Sequence, residues 1–197
     1  TIVLCGQEIP FGTDILCVAR HDNRLIFGCE ICEDVWSVVP PSSLHALAGA
    51  TILINCSASV ELLGKKAYRE QLITSQSARC IAAYIYAASG AGESSTDVVF
   101  SGHCLIAENG SLLAQSERFS FDTQIAYADI DIEKLTQERI KNNSFAAAQT
   151  LHYRIIAIDI TERETTKLYR LFTPMPFVPH NLHERAENCH EIMMIQS

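Results

Sequence analysis

The chain has 197 residues, 48% of them hydrophobic, and 15 Lys and Arg against 23 Asp and Glu give a formal charge of −8. That length and apolar content suffice for one compact domain without disulfide staples, and no run approaches the ~20 apolar residues of a membrane helix. The acidic balance and the lack of a Lys/Arg cluster argue against nucleic acid as a partner. The opening TIVLCGQEIPFG has neither a basic start nor a small-residue cleavage site, so a soluble, unexported, cytoplasmic protein is expected.

Residues 14–20 (DILCVAR) and 24–31 (RLIFGCEI) are β-rich apolar runs separated by His21, Asp22 and Asn23, which predicts a hairpin whose second strand delivers the chain to Cys32. Pro40 and Pro41 open a short helix with Leu44, Leu47 and Ala48 at helical spacing and Gly49 closing it, and TILINCS follows as a buried strand. Lys65 to Ile81 is helical in pattern, with Tyr68, Leu72, Ile73, Ser77 and Cys80 forming a small apolar face, and a strand is expected at Ala82 to Ala88. VVFSGHCLIAENGSLLAQSERF then reads as two or three antiparallel strands joined through Asn109-Gly110, with residues 124–130 continuing the sheet. DIEKLTQERIKN predicts an amphipathic helix with an acidic start, and LHYRIIAIDI one more strand. These mixed elements imply an α/β layered sandwich. The prolines of FTPMPFVP, between Phe172 and Pro179, argue against regular structure there.

The eight cysteines, at 5, 17, 29, 32, 56, 80, 104 and 189, lie mostly inside apolar runs, which suits buried thiols in a reducing compartment better than a disulfide framework. Cys29 and Cys32 have the CxxC spacing, but no second CxxC or nearby His pair completes a zinc set. With no initiating Met, and with HERAENCHEIMMIQS building helical spacing through Ala186, Cys189 and Ile192 without a cap, the chain reads as an excised piece.

Cys32 stands out because GCEICEDVW ends an apolar strand in a thiol, two carboxylates and an aromatic residue. A strand end holds a nucleophile rigidly and leaves it exposed, and a thiolate attacks an amide carbonyl when a base or positive neighbour favours its charged form. On this stretch alone, a thiol packed as a small hydrophobe is the ordinary explanation.

Several segments in order, GCEICEDVW, PPSSLHALAGATILINCSAS, LGKKAYREQLITSQSARC, YIYAASGAGESSTDVVFSGHCLIAENGSLLAQS and FTPMPFVP, resemble the nitrilase-type carbon-nitrogen hydrolases. Within them the likeness is to the glutaminase domain of glutamine-dependent NAD synthetases, carried by GCEICEDVW, SAS and GAGESSTDVVFSGH together. The resemblance implies a nitrilase-like α-β-β-α sandwich lacking its N-terminal segment over residues 1–172, with 173–197 a linker and the start of a helix leading to an absent synthetase domain. It implies a Glu-Lys-Cys catalytic set in which Cys32 is the cysteine and the Glu and Lys lie upstream of Thr1. Between Thr1 and Cys32 the only glutamates are Glu8 and Glu30, and there is no lysine.

Free glutamine needs groups for its α-ammonium and α-carboxylate. Glu33, beside the nucleophile, could hold the ammonium, or be a solvated carboxylate at a strand end. The resemblance points to Ser59 and Lys65 as the hydrogen-bond and charge partners of glutamine, although Lys65 by itself could be an exposed lysine at a helix start. Gly90, Gly92 and the run Glu93 to Asp97 read as a loop near the site mouth, His103 as structural, and Trp36 as packing near the site.

The implied function is release of ammonia from glutamine for ATP-dependent amidation of a deamido-NAD acceptor. No cofactor is expected in this domain, ATP and Mg serving the synthetase domain, and a homo-oligomer is expected. A free-standing amidase of the same superfamily and a non-catalytic scaffold that assembles an oligomer are the alternatives.

Overall fold

The computed structural model describes residues 1–94, 96–148, 151–161, 167–170, 172, 174, 175, 178, 179 and 181–197. The chain divides into two compact units, Thr1–Thr166 and Lys167–Ser197.

The first unit opens with a ribbon of β1 (Ile2–Leu4) and β2 (Gln7–Ile9). The residue pattern does not announce this hairpin, because its turn is Cys5-Gly6, with φ of 52° and 75° at the two positions. The expected hairpin follows as β3 (Ile15–Ala19) and β4 (Ile26–Ile31), paired antiparallel. Asp22 shapes its turn by accepting from the Arg24 backbone N–H at 2.9 Å and from the Arg24 guanidinium at 2.9 and 2.8 Å. A 3-10 turn (Cys32–Trp36), α1 (Pro41–Leu47), β5 (Ile52–Ser57), α2 (Lys65–Cys80) and β6 (Ala83–Ala88) come next. Proline at its first position pre-sets the φ of α1, and Gly49 at φ 114° turns the chain into β5. The Asn109-Gly110 turn joins β7 (Leu105–Glu108) to β8 (Ser111–Gln115). Asp131 caps α3 (Ile132–Lys141) by accepting the Lys134 N–H at 2.8 Å, and α4 (Asn143–Ala146) and β9 (Arg154–Ile158) complete the unit.

Among the described residues seven strands form one sheet in the order β8-β7-β6-β5-β4-β3-β9. Strands β4, β5 and β6 run parallel, as do β3 and β9, while the pairs at the β6-β7-β8 end are antiparallel. On one face Leu16, Leu53, Tyr84, Tyr86 and Leu105 pack with Ala46 of α1 and Ile73 of α2. On the other, Ile52 and Ala83 pack with Leu135 of α3. Each fully buried large side chain contributes about 1.5–3 kcal/mol. Gly28 lets α1 come close, since a Cβ there would lie 2.8 Å from the His45 Cβ. Arg139 of α3 donates to the carbonyls of Gly49, Ala50, Cys80 and Ile81 at 2.6–3.3 Å, tying the segments that enter β5 and β6. Burial pushes its pKa down to about 10.

Three expectations are corrected. Residues 124–130 form no strand: Ile125 and Tyr127 are 66% and 58% exposed, so their alternation matches no buried sheet face. Of the two or three strands expected across VVFSGHCLIAENGSLLAQSERF two form, β7 and β8, as the lower of those numbers has it. In α2 the buried face is Arg69, Ile73, Gln76, Ser77 and Cys80, whereas Tyr68 is exposed. The thiols are not generally buried: Cys80 is, but Cys5, Cys29, Cys56 and Cys189 are exposed. Along β4 the alternation is regular, with Gly28 and Glu30 buried and Cys29 and Ile31 exposed, but at the carboxyl end the buried side chain is the charged one, Glu30, held inside by polar partners.

In the second unit, α5 spans Leu182–Gln196, with Asn181 accepting from the His183 N–H at 2.9 Å. Of the Pro-rich stretch, Phe172, Pro174, Met175, Val178 and Pro179 lie outside helix and strand, while Thr173, Pro176 and Phe177 lie outside the described residues. No helix among the described residues is long and apolar enough to cross a membrane.

Candidate active site

Strands β4, β5 and β6, being parallel, end together at Ile31, Ser57 and Ala88, and the loops that follow them start from one edge of the sheet. Cys32 is the first residue beyond β4 and opens the 3-10 turn rather than ending the strand. Its φ of 52° is in the left-handed region, a conformation that costs a non-glycine residue about 1–2 kcal/mol. Asn55 on the neighbouring strand offsets that cost by clamping the peptide groups on both sides. The Cys32 N–H donates to Asn55 Oδ1 at 3.1 Å, and Asn55 Nδ2 donates to the Cys32 carbonyl at 3.2 Å. Ser57 Oγ donates to the same Oδ1 at 2.8 Å, which fixes the amide, and Asn55 is fully buried.

Beneath this turn lies Glu30. Its carboxylate accepts from the Tyr84 hydroxyl and, at 2.7 Å, from the Ser42 N–H at the start of α1. Burial and the adjacent carboxylate raise the Tyr84 phenol above its ordinary range, so it stays protonated and donates. Glu30 is therefore committed to the core and does not serve as a base for Cys32. Asp34 closes the turn by accepting the Ile31 N–H at 2.8 Å, and buried Val35 anchors it.

Cys32, Glu33, Trp36, Ala58, Ser59, Val60 and Lys65 line one open cavity of about 360 Å³. All four residues singled out in the sequence, Cys32, Glu33, Ser59 and Lys65, thus converge, and Trp36 forms part of the wall. Glu33 is exposed, while Cys32, Ser59 and Lys65 are half-buried. Lys65, the first residue of α2, donates from Nζ to the Val60 carbonyl at 2.6 Å and lies 5.3 Å above the Trp36 ring. Tyr68, one turn further along α2, stacks on Trp36 with ring centroids 5.2 Å apart.

The described part of the 90–97 loop does not line this cavity. Gly90 and Ala91 instead border a separate one of about 240 Å³ with Ser101, Gly102 and Cys104, and Ser95 lies outside the described residues. His103 is fully buried, bonded at Nε2 to Gln115 and at Nδ1 to Arg69, both at 3.0 Å, which is a structural setting. Among the described residues no three His, Cys, Asp or Glu side chains converge as a metal-binding group.

Chemically, the cavity offers a thiol, a carboxylate and an ammonium around an aromatic wall. An amino-acid zwitterion could be held between the two charges. The Cys32 N–H is taken by Asn55, so an oxyanion at the thiol would rely on the next amide, that of Glu33, which has no intrahelical acceptor at a helix start. Sequence reasoning missed Asn55 and Tyr68. The signal for Asn55 was a lone amide in the apolar strand TILINCS, since a buried polar group needs partners.

The sequence profile of the carbon-nitrogen hydrolases matches residues 5–140. The chain is 39% identical to a glutamine-dependent NAD(+) synthetase of Mycobacterium tuberculosis, across all of this chain and 30% of that protein. It therefore spans under a third of that curated relative. Among solved structures, a glutamine-dependent NAD(+) synthetase from Cytophaga hutchinsonii superimposes with a TM-score of 0.52 at 32% identity, over 64% of this chain and 20% of that one. A carbon-nitrogen hydrolase from Helicobacter pylori shares the fold at a TM-score of 0.51 and 22% identity, over 62% of this chain and 45% of that one.

Proposed function

The chain belongs to the carbon-nitrogen hydrolase family, and from that premise we propose that it is the glutamine-amidase portion of a glutamine-dependent NAD synthetase. The observation that carries this reading is the convergence of Cys32, Glu33, Ser59 and Lys65 on one cavity, in a chain similar along its whole length to such synthetases.

In this reading Lys65 and Ser59 hold the α-carboxylate side of glutamine, and Glu33 holds its α-ammonium. Cys32 Sγ attacks the side-chain amide carbon, and the oxyanion so formed is held by the Glu33 N–H and a lysine ammonium supplied from outside this chain. A glutamate, also from outside this chain, takes the thiol proton and passes it to the departing ammonia as the C–N bond breaks. The same glutamate then activates water against the thioester, releasing glutamate product and restoring the Cys32 thiol. Ammonia passes to a synthetase domain of the parent protein, where ATP with Mg2+ activates a deamido-NAD acceptor for amidation. The reading includes a cytoplasmic setting, supported by eight unpaired cysteines. It also includes a homo-oligomer, for which exposed Leu63 and Phe121 offer apolar surface.

The test compares the full-length protein, its Cys32→Ala variant and the 197-residue chain for ammonia release from glutamine and for ATP-dependent NAD formation. Cys32→Ala should lose glutamine-driven synthesis and keep synthesis from added ammonia. The 197-residue chain should release no appreciable ammonia, because a general base alone is worth about a hundred- to ten-thousandfold. Glutamine-driven synthesis by Cys32→Ala at the normal rate would overturn the assignment.

A further inference from the structure

Seven residues, Ala58 to Gly64, join β5 to α2, and this loop supplies Ala58, Ser59 and Val60 to the cavity wall and leads directly into Lys65. Apolar burial does not fix it, because Leu62 and Leu63 at its tip are 65% and 107% exposed. What fixes it is Glu61. The Glu61 side chain is only 5% exposed and meets partners from three other segments. Arg69 of α2 donates to it at 3.0 Å, Ser101, ahead of β7, donates through its hydroxyl, and Arg118, beyond β8, lies 3.1 Å away. The Glu61 N–H also donates to the Val99 carbonyl at 2.8 Å. Arg69, 1% exposed, is held in turn by His103.

Replacing a buried ion pair by apolar residues is often neutral or stabilising, so the cluster is weak evidence of added stability; what its geometry does is tie the loop to three other segments. Burial would raise the Glu61 carboxyl, but hydrogen bonds from Ser101 and Arg69 and the charges of Arg69 and Arg118 outweigh it and hold the group below its ordinary range. Glu61 is therefore ionised at neutral pH, with Oε2 accepting from Arg69 and Ser101 and Oε1 facing Arg118 as an ion pair. The Lys65 ammonium, bonded to the Val60 carbonyl one residue before Glu61, moves with whatever moves the loop.

We propose that Glu61 is a positioning residue for recognition of the substrate's α-carboxylate, anchoring the Ala58–Gly64 loop so that Ser59 and Lys65 face the cavity beside Cys32. This rests on the glutamine-amidase reading above. Glu61 touches neither substrate nor nucleophile and acts through Ser59, Val60 and Lys65.

The experiment is steady-state kinetics on the full-length protein with Glu61→Gln, Ser101→Ala, Lys65→Ala and the double variant Glu61→Gln/Lys65→Ala, using glutamine or ammonium chloride as nitrogen donor. Glu61→Gln should raise KM for glutamine about tenfold with kcat changed less than about threefold, the mark of lost uniform binding. Synthesis from ammonium chloride should be unchanged. Ser101→Ala should raise KM in the same direction by a smaller factor. In the Lys65→Ala background Glu61→Gln should add less than its own roughly tenfold increase, since the part of its effect that runs through Lys65 is already lost and only the part through Ser59 remains, whereas a general structural defect would add in full. If Glu61→Gln fails to fold, Ser101→Ala alone decides. An unchanged glutamine KM in the folded variants, with Cys32→Ala still blocking glutamine use, overturns the role of Glu61 and leaves the functional reading intact. Normal glutamine use by Cys32→Ala would instead condemn that reading.

Discussion

The amide of Asn55 bonds both the N–H and the carbonyl of Cys32, at 3.1 and 3.2 Å, and thereby holds the thiol-bearing residue in a left-handed turn just beyond β4. The direction in which the thiol points is thus set by a side chain on the next strand, 23 residues away in sequence.

Asn55→Ala should slow glutamine-driven turnover more than any change at the cavity rim. It removes both bonds, leaves the half-buried Cys32 peptide groups without their partners, and frees Cys32 to relax toward negative φ. Misplacing a reacting atom by about 1 Å costs on the order of a hundredfold. Measured on the full-length protein, kcat with glutamine should fall by roughly that factor while synthesis from ammonia persists. A normal kcat would mean that the clamp does not orient the thiol.

Lys65→Ala should weaken glutamine binding more than it slows turnover. A charge on the α-carboxylate, remote from the scissile amide, contributes almost equally to ground and transition states. Losing one charge-assisted contact is worth on the order of 1.5–3 kcal/mol, or roughly ten- to a hundredfold in KM. An unaltered KM in steady-state assays would remove Lys65 from the binding site.

Stability should fall as pH drops below the ordinary histidine range. Burial lowers the pKa of His103, and the charges of Arg69 and Arg118 add to this against an opposing hydrogen bond that His103 donates to the Gln115 side-chain oxygen and against the charge of Glu70. His45 is lowered by burial as well. Both groups bind a proton more readily unfolded than folded, so their contribution is complete above about pH 6.5 and is lost as pH falls through the depressed folded values. Thermal unfolding of the full-length protein between pH 7.5 and 5 should show a falling midpoint. His103→Gln, which can still accept from Arg69, should flatten that slope, and an equal slope in the variant would exclude His103 as a source.

Much of the architecture was legible in the sequence because its signals are local. Pro40-Pro41 and Gly49 bracket α1, Asn109-Gly110 marks the β7-β8 turn, and Asp131 starts α3, each within a few residues of the element it defines. The candidate site was legible for a related reason. Cys32 and Glu33 are adjacent, Ser59 and Lys65 fall in one short stretch, and their motifs resemble those of a known family. Tertiary structure decided what depends on distant partners. Glu61 meets Arg118, and Arg69 meets His103, across gaps that no periodicity reports. Asn55 looked like one more residue of an apolar strand until β4 was laid beside it. Cys29 and Cys56, in apolar runs, are exposed because which sheet face is covered depends on what packs against it. Alternation and turn chemistry are properties of neighbouring residues, whereas burial, ion pairing and the aim of a side chain belong to surfaces that exist only once the strands have paired.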